Sequence, residues 1–94
     1  MANGLEELGR ELLRSPDEKN WERFEKAIKK SDVAYYRPFF GKGRLKNTQD
    51  LKNSYVELYD GKNRIVARVP IFLKKGKNFR GATMYLKGLR IRRG

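Results

Sequence analysis

The chain has 94 residues, with 23 Lys or Arg against 11 Asp or Glu, a formal net charge of +12, and neither Cys nor His. That length suits one compact domain around one core and is short for two. The missing residue types exclude disulfides, thiolate or imidazole zinc sites, cysteine nucleophiles and imidazole-based triads, so a catalyst here would have to work with Lys, Arg, Tyr, Asp or Glu. The composition therefore reads against an enzyme and calls for no metal or cofactor.

Hydrophobic residues make up 38% and charged residues 36%, enough apolar side chains for a folded chain with a thin core. No stretch approaches the roughly 18 to 20 apolar residues that span a bilayer, and the opening residues are amphipathic rather than a charged lead before an apolar run. The expectation is a cytoplasmic protein without a membrane partner.

Leu5, Leu8 and Leu12 recur at i, i+3 and i+7 with charged residues between them, which predicts a helix over residues 4–14 with Asn3 as its N-cap. Ser15, Pro16 and Glu18 form a capping-box pattern, with Ser as cap, Pro in the first helical position and Glu in the third. They predict a second helix over residues 16–30 whose core face is Trp21, Phe24 and Ile28. Lys26, Lys29 and Lys30 enrich its last turn, where the helix dipole favours cations. Trp21 reads as core.

The apolar period then changes from 3.6 to 2. Residues 33–40 are aromatic and interrupted by Pro38, as in an edge strand or an extended entry segment; Gly41-Lys42-Gly43 is a flexible basic turn, and residues 47–50 a loop or single helical turn. Residues 54–59 and 64–73 read as two strands joined by Asp60-Gly61-Lys62-Asn63, with Asp-Gly supplying the preferences of a tight hairpin turn. Residues 74–78 form a second turn and residues 79–93 a last long strand, in which Gly88 marks a one-residue bulge. That bulge would shift the apolar phase from Met84 and Leu86 to Leu89 and Ile91.

The expected fold class is α+β: two N-terminal helices packed on one face of a mainly antiparallel sheet of three to five strands, in a single domain over residues 1–94. Alternation turns Val56 and Leu58, then Ile65, Ala67, Val69, Ile71 and Leu73, then Met84 and Leu86 toward the helices.

Charge divides along the same boundary. Residues 1–34 carry a net −1, whereas residues 35–94 carry a net +13 with only Asp50, Glu57 and Asp60 acidic. A field of one sign opposes compaction, and an anionic partner accounts for it. On the sheet face opposite the core, alternation places Tyr55, Glu57 and Tyr59, then Arg64, Val66, Arg68, Pro70 and Phe72, then Tyr85, Lys87, Arg90 and Arg92. Lys42, Arg44, Lys74, Lys75, Lys77 and Arg80 extend it through the flanking turns. Interleaved rings and cations suit single-stranded nucleic acid, because rings stack on bases while guanidinium and ammonium groups neutralise phosphates.

Leu5-Glu6-Glu7-Leu8, Pro16, Phe24, Lys30-Ser31-Asp32-Val33-Ala34-Tyr35, and Asp60-Gly61 followed by Val69-Pro70-Ile71-Phe72 resemble the N-terminal domain of the enhanced serine sensitivity family over most of the chain. In that family small hydroxyl residues follow the Pro and aromatic pair, whereas Leu73-Lys74-Lys75 follow here. The resemblance implies two helices followed by a mixed sheet.

The function expected from the residues is a binding module for single-stranded DNA or RNA, alone or within a nucleoprotein assembly. A protein-interaction module or inhibitor docking on an acidic surface is an alternative, since charge complementarity would steer either partner. A small RelE-like ribonuclease is another, in which Lys52, Arg68, Arg80 and Tyr85 would stabilise the phosphorane and assist proton transfer.

Overall fold

The computed structural model describes residues 4–40, 54–75 and 78–94, with the backbone alone described at Lys75, Asn78 and Phe79. Asn3, the Gly41-Lys42-Gly43 turn, Arg44, residues 47–50, Lys52 and Lys77 lie outside the described residues.

Helix α1 (Gly4–Arg14) buries Leu5, Gly9 and Leu12, and helix α2 (Glu18–Lys30) buries Asn20, Trp21, Phe24 and Ile28. The cap of α2 differs from the expected one. Asp17 is the N-cap, its carboxylate accepting the Asn20 N–H at 2.8 Å, so the helix begins at Glu18 and Pro16 lies outside it. Ser15 instead ends the preceding turn: its N–H donates to the Glu11 carbonyl at 2.7 Å, and its carbonyl accepts from the Asn20 amide at 2.7 Å. A carboxylate satisfies the helix N–H groups and also faces the positive end of the dipole, which favours Asp17 over the Ser15 hydroxyl.

Asp32, at φ 54°, turns the chain into β1 (Val33–Phe40). Strands β2 (Ser54–Asp60) and β3 (Ile65–Pro70) follow, joined as an antiparallel hairpin. The expected strand over residues 64–73 is broken at Ile71, after Pro70, and continues as β4 (Phe72–Lys75), which pairs with β5 (Asn78–Gly81) in a separate two-stranded sheet. Lys74, Lys75 and Asn78, expected in a turn, are thus strand residues. Proline has no N–H to continue a ladder, and the bend lets the Ile71 carbonyl accept the Ala82 N–H at 2.5 Å.

The long strand expected over residues 79–93 is replaced by β5, a helix α3 (Ala82–Gly88) and a short strand β6 (Arg92–Arg93). Ala82, Tyr85, Leu86 and Leu89 are spaced i, i+3, i+4 and i+7, so a helix presents them together. Ala82 and Leu86 are fully buried, whereas Met84, expected inside, is 59% exposed on the far side of α3. No bulge forms at Gly88, which is the last helical residue. Past it, the Arg90 N–H donates to the Lys87 carbonyl at 2.9 Å and the Ile91 N–H to the Leu86 carbonyl at 3.0 Å. These two bonds form a Schellman cap, with buried Ile91 and Leu86 as its hydrophobic contact and Arg90 at φ 65° in the left-handed position.

The main sheet runs β3-β2-β1-β6, antiparallel except for the β1–β6 pair, where Tyr35 aligns with Arg92 and Tyr36 with Arg93. Two register shifts accompany it, one between Val33 and Tyr35 and one opposite Leu58 and Tyr59. The second aligns Ile65 with Tyr59 and Ala67 with Leu58, leaving Val66 extra, so Ile65 moves to the outer face and is 47% exposed instead of joining the core. The inner face carries Tyr36, Val56, Leu58, Ala67 and Val69, in one buried cluster with Leu5, Leu12, Trp21, Phe24, Ile28 and Leu86. Gly9 lets α1 approach β3 closely: a Cβ there would meet Pro70 Cδ at 3.1 Å and Val69 Cγ1 at 3.3 Å. This is the α+β arrangement expected, two helices on a mainly antiparallel sheet, with a third helix added.

Two stability outcomes follow from the caps. Asp17→Ala lowers unfolding free energy by about 0.5–2 kcal/mol in urea denaturation, while Ser15→Ala stays within about 0.5 kcal/mol of the parent; the reverse order would restore Ser15 as the cap. Arg90→Gly raises stability by about 0.5–1 kcal/mol, because the left-handed cost to a residue with a Cβ exceeds the backbone entropy that glycine loses. A lower melting temperature for Arg90→Gly would count against the Schellman assignment.

Candidate nucleic-acid interface

Inward placement of Tyr36 on β1 sends Tyr35, Arg37 and Phe39 to the other face. On β2 the buried Val56 and Leu58 do the same for Tyr55, Glu57 and Tyr59, and on β3 the buried Ala67 and Val69 turn Arg68 outward. Strand pairing then assembles these residues into a row. Tyr35 stacks on Tyr59 with ring centroids 5.0 Å apart and planes 4° from parallel, and Phe39 stacks on Tyr55 at 4.9 Å and 17°. The Arg68 guanidinium lies over the Tyr55 ring, 5.0 Å from its centroid. Between the stacked pairs, the register aligns Arg37 with Glu57 and Glu57 with Arg68.

Hydrogen bonds hold two of these rings by their hydroxyls. Tyr59 donates to the Glu57 carboxylate at 3.1 Å, and Tyr35 to Asn63 Oδ1 at 2.9 Å. Burial, then the bond to Glu57, pushes the Tyr59 hydroxyl above the ordinary phenol range, so this ring is neutral at physiological pH.

The hairpin turn between β2 and β3 sets the edge of this face. Asp60 Oδ1 accepts the N–H groups of Lys62 at 2.8 Å and Arg64 at 2.9 Å, and Oδ2 accepts Arg64 Nε at 3.1 Å. Asn63 takes the left-handed conformation at φ 62°. The tight hairpin therefore forms, with Asn63 rather than Gly61 providing the positive φ. Arg64 is present at the rim but is paired with Asp60.

The residues expected on this face are divided by the structure. Tyr55, Tyr59 and Arg68 stand on it, and Arg92 enters β6 beside Tyr35. Phe72 does not: it is half-buried in β4 against the core, and Pro70 is buried as well. Tyr85 does not either, because α3 packs its ring on Trp21 at 4.6 Å. Lys74 and Arg80 belong to the β4–β5 hairpin, where the Lys74 carbonyl accepts the Trp21 indole N–H at 2.9 Å. Lys75 lies in β4, its side chain outside the description, and Lys87 and Arg90 mark the C-terminal end of α3. Arg68 and Tyr85, two of the ribonuclease candidates, thus sit against different rings, Tyr55 and Trp21.

Tyr35, Arg37 and Phe39 complete the face and were not among the expected site residues. Their alternation about Tyr36 is the signal that finds them, since Pro38 does not cancel the two-faced pattern of β1, which lies between β2 and β6 rather than at the expected edge.

The Asp60 cage is testable by acid titration. N–H bonds from Arg64 first, then from Lys62, and the Arg64 side chain hold the Asp60 carboxyl below its ordinary value of 3.8. With the folded pKa below the unfolded one, the turn's contribution to stability is present above the unfolded pKa and is lost as pH falls through the lowered folded value. Carboxyl-carbon NMR should give Asp60 a midpoint below 3.8, with the Lys62 and Arg64 amides shifting at the same pH. A midpoint at or above that value overturns the cage.

Among the described residues no three His, Cys, Asp or Glu side chains gather to hold a metal, and no helix is long and apolar enough to cross a membrane. No family model, no curated protein and no solved structure matches this chain.

Proposed function

We propose that this chain binds single-stranded DNA or RNA on the outer face of its four-stranded sheet. The observation that carries the reading is the pairing of Tyr35 with Tyr59 and of Phe39 with Tyr55, with Arg68 over Tyr55. The two pairs are four residues apart along β1 and β2, roughly 13 Å at the strand rise. Flat rings on an open sheet accept bases that are already unstacked, which a duplex does not offer. Phe39 supports this most directly, because it is 44% exposed and no core requires it.

Arg37 and Arg68 flank Glu57 in the register between the rings, so that row keeps a net positive charge. The wider excess of +13 over residues 35–94 supplies a field that draws in a polyanion. An acidic protein would respond to the same field, but stacked rings add nothing specific for a carboxylate surface.

Affinity for a fluorescent oligothymidine strand, followed against salt, separates the two contributions. With about four to seven phosphates engaged, the log-log slope is about −3 to −5, at about −0.7 per phosphate. Arg37→Ala and Arg68→Ala each flatten it by about 0.7. Tyr35→Ala, Phe39→Ala and Tyr59→Ala cost about 1–3 kcal/mol with little change in slope, since stacking releases no counterions. Circular dichroism checks that each variant folds. A wild-type protein that ignores the strand at low salt sinks the reading, and so do ring variants that bind like the parent.

A further inference from the structure

Lys87, Arg90, Arg92 and Arg93 line one open groove of about 620 Å3 whose floor is the buried pair Tyr36 and Ile91. The Schellman cap is what gathers them. It reverses the chain at the left-handed Arg90, so residues beyond the helix return beside Lys87 and enter β6 along β1. The same cap removes an obstacle to an anion. The carbonyls of Tyr85, Leu86 and Lys87, the negative end of α3, already accept N–H groups from Leu89, Ile91 and Arg90. Among the described residues none of the four cations is ion-paired with a carboxylate, and no acidic side chain lines the groove.

We propose that this groove holds the terminal phosphate of a single strand that crosses the Tyr35–Tyr59 pair and turns round the β6 edge, an assignment that rests on the reading of the outer face given above. Two observations point to a strand end. An internal phosphodiester is a monoanion, whereas a terminal phosphate monoester carries about −1.5 to −2 near neutrality, which better matches four converging cations. The groove also lies at the β6 edge, on the side of the sheet that Tyr36 faces, and Arg92, which lines it, aligns with Tyr35 of the outer face, so a strand leaving the aromatic row reaches it round that edge. Gly94 lies at that edge, its N–H donating to the Tyr36 carbonyl at 2.9 Å and its Cα set so tightly against the Tyr35 ring that a Cβ would overlap it.

The test compares one short oligothymidine strand in three forms: 5′-phosphorylated, 3′-phosphorylated, and with hydroxyls at both ends. One phosphorylated form should bind about tenfold tighter than the hydroxyl form, the gain from one or two charge-assisted hydrogen bonds. The favoured end reports the polarity of the strand on the sheet. Arg90→Gly should abolish that preference while the protein stays folded, because the substitution keeps the left-handed turn and deletes the side chain that carries the guanidinium. Lys87→Gln should reduce it. Tyr59→Ala should weaken all three forms alike and leave their ratio unchanged.

Equal affinity for the three forms overturns the phosphate site and leaves the outer-face reading standing; absence of binding by every form overturns both. Inorganic phosphate titrated alone separates the two sources of the same chemistry. Weak binding relative to the phosphorylated strand supports the strand-end assignment, whereas equal affinity makes the groove a site for free phosphate and overturns it.

Discussion

The indole of Trp21 joins the near-neutral helical layer to the basic remainder of the chain. Its N–H donates to the Lys74 carbonyl in β4, and its ring makes a T-shaped contact with Phe24 at 5.9 Å and a contact tilted by 48° with Tyr85 of α3. A buried indole N–H without an acceptor is costly, so this bond ties the β4–β5 hairpin to α2. With Tyr85 held there, Leu86 enters the core, the cap after α3 turns inward at Ile91, and β6 is delivered to the free edge of β1. The groove at that edge thus depends on a contact made by a residue far from it.

The sheet has one dry face and one charged face, and the chain manages the exposed edge of β3 with an acidic residue from the helical layer. Glu6 of α1 accepts the Arg68 backbone N–H at 3.2 Å, occupying a donor that would otherwise be available to another strand. Its acceptor is a helix residue directed at the edge, so the Arg68 side chain remains on the outer face with Tyr55.

Left-handed residues occur where the chain changes direction, and a glycine sits where helix meets strand most closely. Gly9 brings α1 onto Val69 and Pro70, and Asp32, Asn63 and Arg90 take positive φ at the ends of α2, the β2–β3 turn and α3. Asn and Asp tolerate that conformation through local hydrogen bonds, but arginine has no such compensation. Arg90 takes it at the cap of α3, and its side chain lines the groove.

Local pattern alone determined the two helices, the β2–β3 hairpin and the inward set Trp21, Phe24, Ile28, Val56, Leu58, Ala67 and Val69, because a 3.6 or 2 residue period is a property of neighbouring residues. Composition likewise determined the absence of imidazole and thiol chemistry, and alternation placed Tyr55, Tyr59 and Arg68 on one face. Tertiary structure decided the rest. Ala82, Tyr85, Leu86 and Leu89 fit a helix as well as Met84 and Leu86 fit a strand, and the contact of Tyr85 with Trp21 selects the helix. That choice removes Tyr85 from the sheet and sends Lys87 and Arg90 to the groove with Arg92. Register decided the fate of Ile65, since one extra residue at Val66 reverses the faces. Above all, β1 joined the aromatic row only when pairing brought Tyr35 to Tyr59 and Phe39 to Tyr55, contacts between residues more than a dozen positions apart that no local period encodes.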